Sequence, residues 1–253
     1  MCGRYAITLP PEAVKSYFGY VGNPNFPPRT NIAPTQPVPV VRLERTPDGQ
    51  SARQFRLVRW GFLPPFVKDP KDYPLVINAR SETAAEKASF RNALRRRRCL
   101  FIADAFYEWQ RGPAPRKPGT ATPFLIRRRD HVPLALAGLW ESWMGPNGEE
   151  LETACILTTH ANGLISAIHD RMPVVIEPEN FVTWLSLDDE RDTTAQKLMR
   201  PAAENVLEFF EIGTAVNKVA NDGPGIQEPM KPVERAEAAP AAAPLEDPQG
   251  SLF

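Results

Sequence analysis

The chain has 253 residues, with 30 Lys+Arg balancing 30 Asp+Glu, 42% hydrophobic and 24% charged residues. That composition is ordinary for a soluble globular protein, and no apolar run approaches the roughly 18–20 residues a membrane span needs. Three cysteines (Cys2, Cys99, Cys155) without a CxxC pair argue against a disulfide framework and a four-cysteine zinc site, and fit a reducing cytoplasm.

The N-terminus, Met1-Cys2-Gly3-Arg4, lacks the apolar core of a secretory signal. Residues 3–9 read as a strand, and Pro10-Pro11 open a short helix ending near Phe18-Gly19. Residues 22–37, rich in Pro and Asn, read as loop. Strands at 38–44 and 54–60 flank a turn at Pro47-Asp48-Gly49. Ala84, Ala85, Ala88, Phe90 and Leu94 fall at helical spacing and predict a helix over 83–97. Strands are expected at 99–103, 105–110, 123–128, 134–140 and 153–159. A short helix at 161–168 and a strand at 174–176 follow. Helices at 178–186 and 190–200 and a strand pair over 206–219 complete the body. Strands outnumber helices and do not alternate with them, and the 28 prolines imply many turns. The expected fold class is α+β: one domain over residues 2–233, with a curved, mostly antiparallel sheet or barrel core flanked by helices. From 234 to 253 Ala and Pro dominate without an apolar face, which reads as a disordered tail.

The zero net charge is unevenly spread. Residues 236–253 carry three acids and no Lys or Arg, whereas residues 80–130 carry thirteen basic residues against five acids. Such a block attracts phosphates and can steer nucleic acid, although arginines near a helix C-terminus also complement the helix dipole.

Removal of Met1 would expose Cys2 as a 1,2-aminothiol. Its α-amine, with a reference pKa near 7.7–8.0, is partly neutral at cellular pH, and its thiol needs only local help to ionise. An amine and a thiol so placed can capture an aldehyde as a Schiff base that closes to a five-membered thiazolidine. Downstream, Asn78-Ala79-Arg80 follows an apolar run, Glu108 lies between aromatics in Phe106-Tyr107-Glu108-Trp109, and His169 opens His169-Asp170-Arg171-Met172-Pro173. A glutamate in aromatic surroundings suits general acid–base work, and a histidine suits proton transfer near pH 7. Each also fits a structural role: a strand carboxylate facing water, a capped imidazole, an incidental cysteine. His131, His160 and His169 are not at HExxH spacing, so no metal and no cofactor are expected.

These blocks, together with Asn31-Ile32-Ala33-Pro34-Thr35, Trp60-Gly61-Phe62-Leu63-Pro64, Ala137-Gly138-Leu139-Trp140-Glu141, Thr158-Thr159 and Asn221-Asp222-Gly223-Pro224, are collinear over about residues 2–230. In that order, with Cys at position 2, the sequence resembles the SOS-response-associated peptidase family of abasic-site processing proteins. The resemblance implies a DNA-damage response protein that binds abasic sites in single-stranded DNA and links them covalently through Cys2 as a thiazolidine, shielding the lesion. It implies lyase activity and possible self-processing as a peptidase. It casts Cys2 as nucleophile, Asn78 as a positioning group, and Glu108 and His169 as proton carriers. Arg4 and Arg80 would clamp phosphates, and Thr158 and Pro34 would contact DNA. Family members often carry Trp as a wedge after Gly61-Phe62-Leu63-Pro64-Pro65; here Phe66 and Val67 stand there, and Phe66 can still stack on a base. A cytoplasmic, nucleoid-associated protein is expected, with no membrane partner.

Two other readings remain open from the residues: an N-terminal-nucleophile cysteine hydrolase or peptidase, and a non-catalytic single-strand-binding module. Separately, the chain ends Gln249-Gly250-Ser251-Leu252-Phe253. Gln249, Leu252 and Phe253 resemble the short peptides that dock bacterial sliding clamps, two apolar anchors and a hydrogen-bonding amide, with Gly250 a departure from the usual apolar second position.

Overall fold

The computed structural model describes residues 2–110, 121–186 and 189–230. The tail over 234–253, with Gln249, Leu252 and Phe253, lies outside the described residues. In chain order the strands and helices are β1 (Tyr5–Ile7), α1 (Pro11–Phe18), β2 (Arg29–Ile32), β3 (Pro37–Arg45), β4 (Ser51–Trp60), β5 (Asn78–Arg80), α2 (Ser81–Ala84), α3 (Arg91–Arg96), β6 (Arg98–Ala103), β7 (Ala105–Gln110), β8 (Thr122–Arg128), β9 (Leu134–Met144), β10 (Glu150–His160), α4 (Gly163–Ser166), β11 (Arg171–Pro173), α5 (Phe181–Leu185), α6 (Asp189–Lys197) and β12 (Leu207–Glu211).

β10 organises the fold. It pairs antiparallel with β9 and parallel with β4, and the run β10-β4-β3-β6-β9 closes on itself as a five-stranded barrel. Closure removes free edges from the core sheet. Beyond the barrel β10 continues, taking β5 parallel at Ile156–Thr158 and β11 antiparallel at Thr158–His160. A second, antiparallel sheet runs β12-β8-β7-β1-β2. The α+β class with a mostly antiparallel barrel core is therefore what the chain adopts.

The barrel is filled by side chains. β6 is buried along its whole length, as a continuous apolar run should be. The rings of Tyr5, Trp60 and Phe101 meet edge to face at centroid distances of 5.3, 6.3 and 6.4 Å. Gly138 on β9 has to be glycine: a Cβ there would sit 2.6 Å from the Phe101 ring and 2.9 Å from Cys99 Sγ.

Several local expectations change. Residues 83–97 hold the end of α2, a turn and α3, because the chain turns between the helices to bury Phe90 against Phe62 (5.5 Å) and to pair Ser89 Oγ with the Tyr73 hydroxyl (3.2 Å). The stretch 22–37 contains β2, recruited as an antiparallel partner by β1. β1 itself ends at Ile7, where the Asp104 carboxylate takes the amides of Thr8 and Leu9 (3.0 Å to Leu9). The strand after His169 falls at 171–173, not 174–176. Over 206–219 only β12 is a strand; residues 214–217 form a 3-10 turn.

Candidate active site

Cys2 is fully buried, just ahead of β1. Its carbonyl accepts a 2.9 Å hydrogen bond from Asn78 Nδ2. Asn78 opens β5, and it is fixed from two sides. Its register opposite Ile156 sets the strand, and the core Trp60 indole donates to the adjacent Ile77 carbonyl at 3.0 Å. The Oδ1 atom of Asn78 is buried and has no hydrogen-bond partner among the described residues. An unsatisfied buried acceptor is costly, so a ligand donor is strongly favoured there.

β7 lies beside β1, with Phe106 opposite Tyr5 and the Tyr107 amide donating to the Arg4 carbonyl at 3.0 Å. This carries Glu108, buried at 3% exposure, to the neighbourhood of Cys2. Burial drives the Cys2 thiol well above the ordinary range, and the nearby Glu108 charge pushes the same way; the positive N-terminus and, less, a hydrogen bond from the Arg4 amide act against both. The resting group is a thiol, not a thiolate, and its chemistry needs a proton acceptor.

Ile77 and Arg80, on either side of Asn78, also line an open cleft of about 700 Å³. His169 and Arg171 face it from the opposite wall. His169 follows α4, whose first amides are held by the Glu204 carboxylate (2.7 Å from Gly163, 2.9 Å from Leu164) and by Asn162 Oδ1 (2.9 Å from Ile165). Nδ1 of His169 accepts the Arg171 amide at 2.9 Å, which places the proton of the neutral ring on Nε2. The same Nδ1 lies 2.9 Å from Asp170 Oδ1, to which it would donate in the other tautomer or in the charged ring; Asp170 is 86% exposed and screened by water, so the backbone bond is taken to set the tautomer.

Arg171 is buried and held through Nη1 and Nη2, while its Nε has no hydrogen-bond partner among the described residues. It donates to both carboxylate oxygens of Glu82 (2.8 and 2.9 Å) and to the Thr158 carbonyl (2.6 Å). This bidentate pair holds Glu82 down at about 2, against a desolvation that works the other way. Thr158 is buried beneath the cleft, its hydroxyl 3.4 Å from the Ala79 carbonyl. Arg80, opposite Thr158 in the register, is exposed.

Arg4 sits elsewhere in the same assembly. Its Nη1 donates to Asn31 Oδ1 (2.7 Å) and to the Val216 carbonyl (2.8 Å), and its guanidinium lies 5.8 Å from the Trp109 ring centroid. Asn31, wholly buried, donates in turn to the carbonyls of Lys218 (3.0 Å) and Asn221 (2.7 Å). The 214–222 segment is thereby stitched to β2, which accounts for the sequence blocks at both places. Pro34 is half-buried in the turn before β3. Phe66 is 60% exposed and meets Tyr73 edge-on at 6.3 Å, outside the cleft lining.

The structure thus gathers Cys2, Asn78 and Glu108 in one buried centre, and Arg80 and His169 in the cleft that adjoins it, with Thr158 buried on β10 between the strands of Arg80 and Arg171. Sequence reasoning missed Glu82, Arg171, Asn31 and Glu204 as the groups that hold these in place. Arg171 and Asn31 stood within the recognised blocks, but the partners lie 89 residues apart for Glu82–Arg171 and 185 for Asn31–Val216. No group of three or more His, Cys, Asp or Glu side chains among the described residues is placed to hold a metal ion. No helix among them is long and apolar enough to cross a membrane.

The model of the SOS response associated peptidase family matches residues 1–219. The abasic site processing protein YoqW of Bacillus subtilis (strain 168) is 36% identical over 231 residues, covering 90% of this chain and 99% of the relative. The abasic site processing protein HMCES of Gallus gallus is 30% identical, covering 92% of this chain and 78% of the relative. A crystal structure of a protein from Bacteroides thetaiotaomicron shares the fold, with a TM-score of 0.75 at 21% identity over 90% of this chain and 99% of that one. One from Bordetella bronchiseptica gives 0.69 at 26% identity, over 84% and 100%.

Proposed function

We infer a function from one premise: the chain belongs to the SOS response associated peptidase family. It recognises abasic sites in single-stranded DNA and holds them as a covalent thiazolidine on Cys2, in a DNA-damage response. The observation that best supports this reading is Asn78, which tethers the Cys2 carbonyl while keeping a buried, unpartnered acceptor beside it.

The chemistry proceeds in four balanced steps. His169 donates a hydrogen bond from Nε2–H to the deoxyribose ring oxygen while water carries the proton of the anomeric hydroxyl to that oxygen, so the C1′–O4′ bond breaks and an aldehyde forms. The Cys2 α-amine, free once Met1 is removed, adds to that carbon, with Asn78 Oδ1 accepting an amine N–H. Glu108 shuttles a proton to the resulting hydroxyl, which leaves as water and creates the imine. The Cys2 thiol then adds to the imine carbon, passing its proton by way of Glu108 to the nitrogen. Net, one water is released and no oxidant is needed. The raised thiol makes Glu108's proton acceptance integral to the last step. Arg80 holds a flanking phosphate in the cleft, and Arg4, Thr158, Pro34 and Phe66 shape the DNA path around it.

The experiment is incubation with abasic and intact single-stranded DNA. A heat-stable adduct with abasic DNA alone, lost in Cys2→Ala, supports the reading. Turnover of amide substrates without DNA favours the cysteine hydrolase instead, and adduct-free binding that survives Cys2→Ala favours a simple binding module. The terminal Gln249, Leu252 and Phe253 are proposed to dock a sliding clamp; a tail peptide and its Leu252→Ala, Phe253→Ala form binding the clamp equally, or neither binding, removes that part.

A further inference from the structure

The chemistry assigned to Cys2 consumes an aldehyde, whatever molecule carries it. Cys2, Asn78 and Glu108 address one carbonyl carbon and its oxygen. The next group outward is Arg80, and it sets how long a molecule the site measures.

Three observations define that molecule. The first is spacing. Asn78 and Arg80 stand two residues apart on β5, so their side chains leave the same face of the strand, about 7 Å apart along it. The Asn78 amide holds the Cys2 carbonyl (2.9 Å), which ties the near end of this span to the nucleophile. The second is charge. Glu82 and Arg171, in the same cleft, answer each other through two bonds (2.8 and 2.9 Å). Arg80 is exposed and carries no salt bridge among the described residues, so its guanidinium is available to an anion. The third is room. The cleft, at about 700 Å³, has the size of sites that enclose whole small molecules, roughly 300–1,000 Å³. A sugar and its phosphate fit there without a strand to lead them in.

A carbonyl at one end and an anion about 7 Å away describe an open-chain pentose phosphorylated on its last carbon. We propose that the site also captures free pentose 5-phosphates, such as 2-deoxyribose 5-phosphate, as thiazolidines on Cys2, with the phosphate on Arg80. The proposal rests on the aminothiol reading above and extends it from a DNA strand to a small molecule. The Cys2 amine adds to C1 of the aldehyde. Both amine protons leave with the carbonyl oxygen as water, giving the imine. The Cys2 sulfur then adds to the imine carbon, and the thiol proton passes to the nitrogen. One C–N and one C–S bond form, the C=O bond is lost, and neither oxidant nor reductant is consumed. The reaction that supplies the ligand is hydrolysis of the N-glycosidic bond in a free deoxynucleoside 5′-phosphate, the monomer's counterpart of base loss from a strand. A chain loaded in this way has used its amine and thiol and no longer crosslinks abasic DNA.

The test uses the full chain with Met1 removed, beside a peptide beginning Cys2-Gly3-Arg4-Tyr5, which has the same aminothiol and no cleft. Each is incubated with 2-deoxyribose 5-phosphate, with 2-deoxyribose, and with an oligonucleotide carrying one abasic site, and adducts are read by intact mass. The protein gains the mass of the sugar phosphate less one water, about 10-fold or more faster than the peptide, a modest share of what positioning supplies. Cys2→Ala gains nothing. After division by the peptide's own ratio, the protein prefers the phosphorylated sugar by about 5- to 10-fold, the scale of one charge-assisted hydrogen bond. Arg80→Ala, at an exposed position that does not threaten the fold, erases that preference, and Arg80→Lys keeps part of it. Preincubation with the sugar phosphate lowers crosslinking of abasic DNA in step with the fraction of protein loaded. A protein no faster than the peptide, or a phosphate preference unchanged in Arg80→Ala, overturns the proposal. If abasic DNA crosslinks while the sugar phosphate does not, this proposal alone falls; if neither gives an adduct, the functional reading falls with it.

Discussion

The centre around Cys2 and the cleft beside it meet at Asn78, yet they are built on opposite principles. Around Cys2 the site is buried: a thiol without exposure, a carboxylate at 3% exposure, and an amide oxygen with no donor to accept from among the described residues. In the cleft the walls are tied by paired groups, the Glu82–Arg171 fork and the capped helix that precedes His169. Burial keeps the nucleophile protonated and unreactive until substrate brings groups to pair with, while pairing keeps the cleft in shape without substrate. Reactivity and preorganisation are thus divided between two adjacent environments.

The sharpest way to break this division is at the nucleophile. Cys2→Ala abolishes the adduct, whereas Cys2→Ser, with its amine intact, gives an imine that borohydride traps but no stable ring; a hydrolysis-resistant Cys2→Ser adduct would refute the thiazolidine. Glu108→Gln comes next. Crosslinking slows by about 10²–10⁴-fold, typical of a lost proton carrier, while affinity for the unreactive analogue is unchanged. In the same variant the Cys2 thiol becomes somewhat easier to alkylate at pH 8, because one cause of its elevation is gone while burial, the larger cause, remains. If affinity falls in step with rate, Glu108 is structural.

In the cleft the effects are smaller and of another kind. Arg80→Ala weakens DNA binding and lowers the magnitude of its salt slope by about one unit; an unaltered slope removes Arg80 from the phosphate contacts. Glu82→Gln reports on the pairing itself. The Glu82 carboxyl is held at about 2, below its unfolded value near 4.3, so its contribution to stability is present above that unfolded value and fades as pH falls toward 2. Thermal melts of wild type and Glu82→Gln should differ at pH 6 and converge on acidification. A gap undiminished at pH 2.5 would show that the Arg171 fork is not what stabilises this wall.

Local chemistry was legible in the chain wherever it closes on itself. Pro11 at the start of α1 and Gly19 in the left-handed conformation after it (φ 62°) delimit that helix as read. The Asp48-Gly49 turn, with Gly49 at φ 81°, joins β3 to β4 in the same way. The alternating and continuous apolar runs of β4 and β6 to β10 announced a strand-rich core, and the spaced blocks around Cys2, Asn78, Glu108 and His169 announced a site. What the chain could not announce were β2 and β5. Four and three residues long, they carry no readable period, and their hydrogen bonds come from β1 and β10. The same holds for the turn that splits 83–97, where burying Phe90 against Phe62 outweighs helical spacing. It holds above all for the bond between Asn78 and Cys2 and for the Glu82–Arg171 fork, which join residues 76 and 89 positions apart. Residue types and local spacing set which groups were present. Barrel closure through β10 decided which of them touch, because only strand register can bring such distant residues within hydrogen-bonding reach.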